Sequence, residues 1–284
     1  MSWLARCRVP VTLSVLAGAL LVACGHQTGE PRALTASESA LLTDAEQSLI
    51  RECMLGQGFQ LWVSPTPPEA ADQLFPYGVD DVRWAQAHGY GTDVRKDRAS
   101  DPNARYVQGL PADRRSAYGV ALNGGGPSAP GVTVTLPNGL VMGHSTGGCV
   151  ATADTRLYGD YQAWFEAKSM TDYFDQARQQ SVLADAAYAG ASAKWSACMR
   201  TAGFAYPTPE AAREKFLDAP TPQPRGLEIG TATQDARCTN ETGLATTART
   251  LDQRYANTPP ARTCRDDERR IALAALGTAK SINS

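Results

Sequence analysis

Histidine is scarce in this chain, with only His26, His88 and His144, and none lies after residue 144. A serine nucleophile late in the chain therefore has no histidine following it. Basic residues are not in excess either: 27 Lys and Arg face 29 Asp and Glu, for a net charge of -2 with the two signs interspersed. That removes the electrostatic footprint of a nucleic-acid binder, so no DNA or RNA partner is expected. No alternation of strand and helix patterns runs along the chain, which argues against a parallel sheet. The glycine-rich "NGGGP" at 123–127 lacks the Gly-Lys-Ser/Thr of a phosphate loop, and no motif asks for a cofactor. Leu, Val, Ile and Phe are sparse while Ala, Thr and Gly are plentiful. Such a core of small residues profits from covalent staples.

The N-terminus supplies a location. "MSWLARCR" carries Arg6 and Arg8 and runs into the uncharged "VPVTLSVLAGALLVAC", the order of a secretory leader, and too short for a comfortable membrane span. Leu21-Val22-Ala23-Cys24 resembles the lipobox of bacterial lipoproteins, which predicts a leader over 1–23 and lipidation of Cys24. Each buried methylene of an acyl chain contributes about 0.8 kcal/mol, so two or three chains hold a protein on a membrane without a spanning helix. Membrane contact is thus expected through lipid alone, on the extracytoplasmic face. The polar stretch that follows reads as a flexible tether over 24–41. Residues 42–284 are expected to form one mainly helical domain with two lobes, 42–180 and 181–284.

Of seven cysteines, Cys7 leaves with the leader and Cys24 is taken by lipid, so five remain in an oxidising compartment. An internal repeat organises them. "CMLGQGFQLWVSPTPPEAA" from Cys53 and "CMRTAGFAYPTPEAA" from Cys198 share Cys-Met-x3-Gly-Phe, a short aromatic link, Pro-Thr-Pro and Glu-Ala-Ala. Each cysteine falls near the end of a helix. The first is expected to open on the capping box of Thr43 and Glu46; the second carries Tyr188, Ala191, Trp195, Cys198 and Met199 on one face. If each repeat cysteine staples its helix to the next cysteine downstream, the pairs are Cys53 with Cys149 and Cys198 with Cys238. Cys264 is then expected as a buried free thiol. The last two helices are expected as an antiparallel hairpin broken at 258–260, which would hold Cys238 roughly 30 Å from Cys264 at 1.5 Å per residue. Two bonded cysteines have Cα atoms only about 4.4–6.8 Å apart.

In the middle, "DDVRWAQAHGYG" and "LPADRRSAYGVALNGGG" read as helices stopped by Gly89 and Asn123-Gly124, with "VRKDRASDPNARYVQG" between them as exposed loop. "VTVTLPNGLVMG" is the one clear β signal, a hairpin around Pro137-Asn138-Gly139. After it, "CVATADTRLYGDYQAWFEAKS" begins a helical stretch expected to break near Gly159. Trp62, Trp84, Trp164 and Trp195 read as core anchors, and "RDDERR" as a solvated face. The order of a lipobox, Cys-Met-x3-Gly-Phe, Leu-Pro before a helix ending Ala-Leu-Asn-Gly, a hairpin ending Gly-Cys, "LYGD", "WSACMRTAGF" and "ARCTNETGLA" resembles a group of actinobacterial lipoproteins and secreted proteins of unknown function. The resemblance spans nearly the whole mature chain. It implies an exported helical protein with paired cysteines and carries no activity.

The hairpin delivers the chain to "GHSTGG" at 143–148, whose first five residues fit the G-x-S-x-G elbow of α/β-hydrolases. In that fold the base follows the serine, and here only His88 could serve Ser145, as part of a different scaffold. The simpler reading makes this a glycine-rich bend that positions Cys149, and no catalytic residue is assigned. His144 and Cys149 lack partners at zinc spacing, so no metal is expected. The expectation is a lipid-anchored binding or structural component with an unidentified protein or small-molecule ligand. The alternatives are an exported serine hydrolase using Ser145 with His88 and, more remotely, a solute-binding lipoprotein.

Overall fold

A computed structural model describes residues 29–63, 74–99, 101–126 and 129–284. The leader, Cys24, His26 and the Pro-rich end of the first repeat at 64–73 lie outside them. Among the described residues the chain is mainly helical with one two-stranded antiparallel hairpin, and no helix is long and apolar enough to cross a membrane.

Helix α1 spans Ala36–Gly56, and its cap, Thr35, lies eight residues before the Thr43 cap expected. Thr35 and Glu38 form the capping box instead, and Arg32 holds Glu38 through two bonds of 2.6 and 2.7 Å. Two T-x-x-E stretches compete here. The upstream one prevails because Leu34, Leu41 and Leu42 gain apolar packing when the helix is extended, and Thr43 simply donates to Ser39 O within it. Residues 36–41, expected in the tether, are thus helical.

The loop expected at 94–109 is also helical. After α2 (Val82–His88) come α3 (Thr92–Ala99) and α4 (Pro102–Gly109). Asp101 accepts from Asn103 N–H and Pro102 takes the first helical position, a start signal that the surrounding charges obscure. Helix α5 (Ala112–Asn123) precedes β1 (Gly131–Thr135) and β2 (Val141–Ser145). Gly139, at φ 85°, closes their turn. Helices α6 (Cys149–Tyr158) and α7 (Tyr161–Leu183) are separated at Gly159, as expected. Then follow α8 (Ala186–Thr201), α9 (Pro209–Leu217), α10 (Arg225–Glu241), α11 (Leu244–Ala256) and α12 (Pro259–Ile282).

The repeat is structural. Phe59 N–H returns to Met54 O at 3.0 Å and Phe204 N–H to Met199 O at 2.9 Å, across Gly58 and Gly203 at φ 76° and 90°. Each is the six-to-one bond of a glycine-terminated helix. The cysteine before each stop is bonded as expected: Cys53 to Cys149 and Cys198 to Cys238, with Cα separations of 5.5 and 5.7 Å. Such bonds persist in oxidising surroundings, so the chain is extracytoplasmic.

Cys264 departs from the expectation. It is fully buried, yet it is disulfide-bonded rather than a free thiol.

Packing groups the helices differently from the lobes expected at 42–180 and 181–284. One core joins Val79, Ala85 and Tyr90 to Trp195, Met199, Ala236 and Leu244, so the α2 region belongs with α8, α10 and α11. Another joins Leu42, Ala45 and Leu49 of α1 to Leu157 of α6 and Ala272, Ala275 and Ala279 of α12. The last two helices follow one another across the proline break, yet α11 packs on α7, α8 and α10, whereas α12 packs on α1, α6 and α7. They meet at their turn and then serve different cores. Helix α7 touches both. The small-residue core anticipated from composition is realised on α12, whose Ala272, Ala275 and Ala279 pack against Leu42, Ala45 and Leu49 of α1.

Candidate functional site

Ser145 is the last residue of β2. Its Oγ accepts Gly147 N–H at 3.1 Å and lies 3.4 Å from Pro130 O. The bend presses against the end of α5: a Cβ on Gly124 would fall 2.3 Å from Ser145 Oγ, and one on Gly148 only 2.3 Å from Gly124 N. Gly124 and Gly148 also hold φ of 83° and 90°. Two glycines are therefore required for this contact on steric grounds alone. Cys149 follows as the first residue of α6, delivered to Cys53.

The expected rival pair is not assembled. His88 ends α2, its Nδ1 2.9 Å from Asp93 Oδ2 and its ring against Trp84; Arg225 of α10 clamps both Asp93 and the His88 carbonyl. Ser145 sits among Pro130, Gly124 and Gly147, and no contact links the two. A general base must lie within about 2.6–3.2 Å of the proton it takes, or one water away. His144, the nearest imidazole in sequence, places Nδ1 2.6 Å from Tyr161 OH and 3.0 Å from the Ser145 carbonyl, not its hydroxyl. Burial, with Asp154 nearby, pushes the Tyr161 phenol up to about 12.

Two open clefts border these elements. One, of about 660 Å³, lies over the hairpin between Asn123, Gly125, Gly126 and Ala129 on one side and the strands on the other, with Thr133, Val141 and Gly143 in its wall. The other, of about 450 Å³, is walled by Phe75, Tyr77, Arg178, Arg249 and Asp252. There Arg249 pairs with Asp80 at 2.8 Å and Arg178 with Asp252 at 3.2 Å, and Tyr77 donates to Asp252. The tryptophans wall neither cleft: Trp164 and Trp195 are buried, Trp84 is partly so, and Trp62 is half exposed against Tyr106.

The chemistry that sequence reasoning missed is buried acid. In one core, Asp235 is wholly enclosed and accepts from Trp195 Nε1 (2.8 Å), Thr239 Oγ1 (3.0 Å) and Tyr90 OH (3.0 Å). Burial outweighs these donors and pushes its carboxyl up to about 7. Seven residues earlier, Glu228 accepts Tyr90 N–H and the Thr92 hydroxyl and pairs with Arg225 at 3.0 Å. The signal was available: Glu228, Thr231, Asp235 and Thr239 recur at helical spacing, a polar stripe on the buried face of α10. In the other core, Asp154 of α6 is 8% exposed, with Oδ1 bonded to nothing. Burial, then the neighbouring Glu46 of α1, pushes it up to about 7, while Lys168 of α7 pulls the other way. Glu46 and Glu268 are likewise raised, chiefly by burial. Helix α12's "RDDERR" is therefore no solvated face: Asp266 is buried and Glu268 looks inward toward Lys168. Among the described residues no three His, Cys, Asp or Glu side chains converge as metal ligands, and Cys149 is committed to its disulfide.

Compared with protein-family models, curated proteins and solved structures, the chain matches none.

Proposed function

We propose that this protein is a lipid-anchored extracytoplasmic component that acts by binding rather than catalysis, held at the membrane surface through Cys24. The observation that carries the reading is the pairing of Cys53 with Cys149 and Cys198 with Cys238 in a chain whose sequence offers Leu21-Val22-Ala23-Cys24 behind an apolar leader. Oxidised staples and an export signal with a lipid-accepting cysteine point to the same compartment. The likeness to actinobacterial lipoproteins, carried by the order of the motifs, supports it. So does the structural use of Ser145 as an anchor for the Gly147 amide, which leaves its hydroxyl without a basic partner.

Membrane fractionation of wild type and Cys24→Ser tests the anchor. Wild type sediments with membranes and yields an acylated N-terminal peptide by mass spectrometry; Cys24→Ser does neither. A thiol cannot carry both a thioether and a disulfide, so non-reducing peptide mapping that finds Cys264 bonded to Cys24 in the exported protein would sink the lipid reading. Fluorophosphonate labelling addresses the hydrolase: label that disappears in Ser145→Ala would establish catalysis. The solute-receptor reading draws on the cleft at Tyr77, Arg178 and Asp252, whose paired charges suit a zwitterion. Saturable thermal stabilisation by an amino acid or short peptide, lost in Arg178→Ala, would favour it.

A further inference from the structure

The two edges of the hairpin differ. In an antiparallel pair, residues that exchange both main-chain bonds alternate with residues whose N–H and C=O point away from the partner. Leu136 N–H donates to Leu140 O at 2.8 Å and Thr146 N–H to Pro130 O at 3.0 Å. With the register running from Gly131↔Ser145 to Thr135↔Val141, this phase makes Val132 with His144, and Val134 with Met142, the bonded pairs. The main-chain groups of Gly131, Thr133 and Thr135 then face one outer edge, and those of Val141, Gly143 and Ser145 the other.

The β1 edge is covered. Helix α7 lies against β1, and its Gln162 Nε2 donates to Thr133 O at 3.0 Å, which confirms the outward direction of that carbonyl. The β2 edge is open: among the described residues nothing bonds to the outward groups of Val141 or Gly143. Leu140, Val141 and Met142 are 57, 60 and 39% exposed, and from Asn138 to Gly148 the chain has no charged residue and no proline. Exposed strand edges are ordinarily blunted by such residues because bare N–H and C=O groups template a further strand. This one carries no such block beyond its shortness, and the 660 Å³ cleft beside it has no Asp, Glu, Lys or Arg in its wall.

We propose that the free edge of β2 is a docking strand for an extended, uncharged polypeptide segment of a partner protein, which adds as a third strand and sets alternate side chains into the neighbouring cleft. A charged side chain would be desolvated there with no counter-charge, so the segment is neutral where it faces the cleft. A second copy of the chain fits less well. Two-fold pairing of β2 with itself joins three outward residues per copy, too few for the roughly 1,200–2,000 Å² that a stable interface buries. The assignment deepens the binding reading above and rests on it, but not on the lipid.

The test uses the full-length chain, labelled for amide NMR, and a capped pentapeptide Gly-Val-Thr-Val-Thr, the β1 sequence that already pairs with β2 across its other edge. Saturable shifts and slowed amide exchange at Val141 and Gly143 are expected, with a dissociation constant below about 1 mM. Gly143→Pro removes an outward N–H and leaves the inward ladder intact, as proline on a strand edge allows, and is expected to weaken binding at least about tenfold, or 1.4 kcal/mol. Val141→Lys, which blocks the same edge by charge, serves if the proline variant does not fold. Absence of protection at those two amides at about 5 mM peptide, or binding that survives both variants, overturns the proposal; so does concentration-dependent self-association through β2 without peptide. The readout is local to the hairpin and needs no membrane. Its failure leaves the anchor reading standing, and loss of the anchor leaves the docking strand standing.

Discussion

Replacing Asp154 by asparagine removes a charge from the interface of α1, α6 and α7 while keeping the side chain's shape. The carboxyl sits at about 7 in the folded chain and near 3.9 when unfolded. A buried acid with a raised pKa folds readily when protonated and poorly when ionised. Its contribution is therefore complete below about pH 4, falls as pH rises through the window from about 4 to 7, and is constant above that. Three units at about 1.36 kcal/mol each set an upper bound near 4 kcal/mol; since Glu46 and Lys168 share the site, a gain of about 2–4 kcal/mol for Asp154→Asn above pH 7 is expected, and none below pH 4. Asp154 Oδ1 has no donor to lose. Urea titration of wild type and variant at pH 4 and pH 7.5, disulfides intact, reads it directly. A gain of that size shifts the melting point by roughly 4–16 °C for a chain of this size. An asparagine variant that is neutral or less stable at pH 7.5, or equally changed at both pH values, would refute the reasoning.

Asp235 has a similar pKa but three donors, so Asp235→Asn should destabilise by about 1–3 kcal/mol at neutral pH, measured in the same titration, as Trp195, Tyr90 or Thr239 loses its acceptor. Removing both cysteines of the 96-residue loop, Cys53→Ala with Cys149→Ala, should cost up to about 4.7 kcal/mol, against about 3.9 for the 40-residue pair Cys198 and Cys238; denaturant midpoints in the reverse order would contradict the loop-entropy argument. Gly148→Ala forces a Cβ onto the backbone of Gly124 at positive φ and should cost more than about 1 kcal/mol, visible as a lower melting temperature, whereas Ser145→Ala should cost about 1 kcal/mol or less. Glu228→Ala leaves the Tyr90 amide and the Thr92 hydroxyl without their acceptor while Arg225 keeps Asp93, and a loss of about 1–3 kcal/mol is expected in thermal unfolding.

The disulfide pairs, the hairpin, the Gly159 break and the repeated helix ends were legible because each is written locally: a cysteine beside a glycine stop, or a Pro-Asn-Gly turn. The start of α1 was misplaced because Thr35 and Thr43 head equivalent capping signatures, and only the packing of Leu34 and Leu42 chooses between them. Helices α3 and α4 were hidden by high charge, although Asp101-Pro102 is a start signal. Nothing local shows that Val79 and Tyr90 pack with residues beyond 181, or that α12 returns to α1; those are choices among apolar faces of similar composition. The buried acids were missed for a related reason, since Asp154 and Glu268 look like ordinary surface carboxylates until four helices converge on them. The burial of Cys264 was legible from its register on the last helix, whereas its bonded state was not, because an odd count leaves one cysteine over whatever its surroundings.

The return of α12 to the first core has a temporal side. During synthesis and export the residues of α1 and α6 emerge long before 259–282, so the disulfide between Cys53 and Cys149 can close around a core that still lacks one wall. The Ala272, Ala275 and Ala279 stripe then fills that wall last. The other core, from Val79 to Leu251, is complete before α12 arrives. The half that leads in synthesis is thus the half that finishes last, and its unfinished groove, flanked by Glu46, Asp154 and Lys168, presents polar groups to water during the wait instead of a bare apolar face.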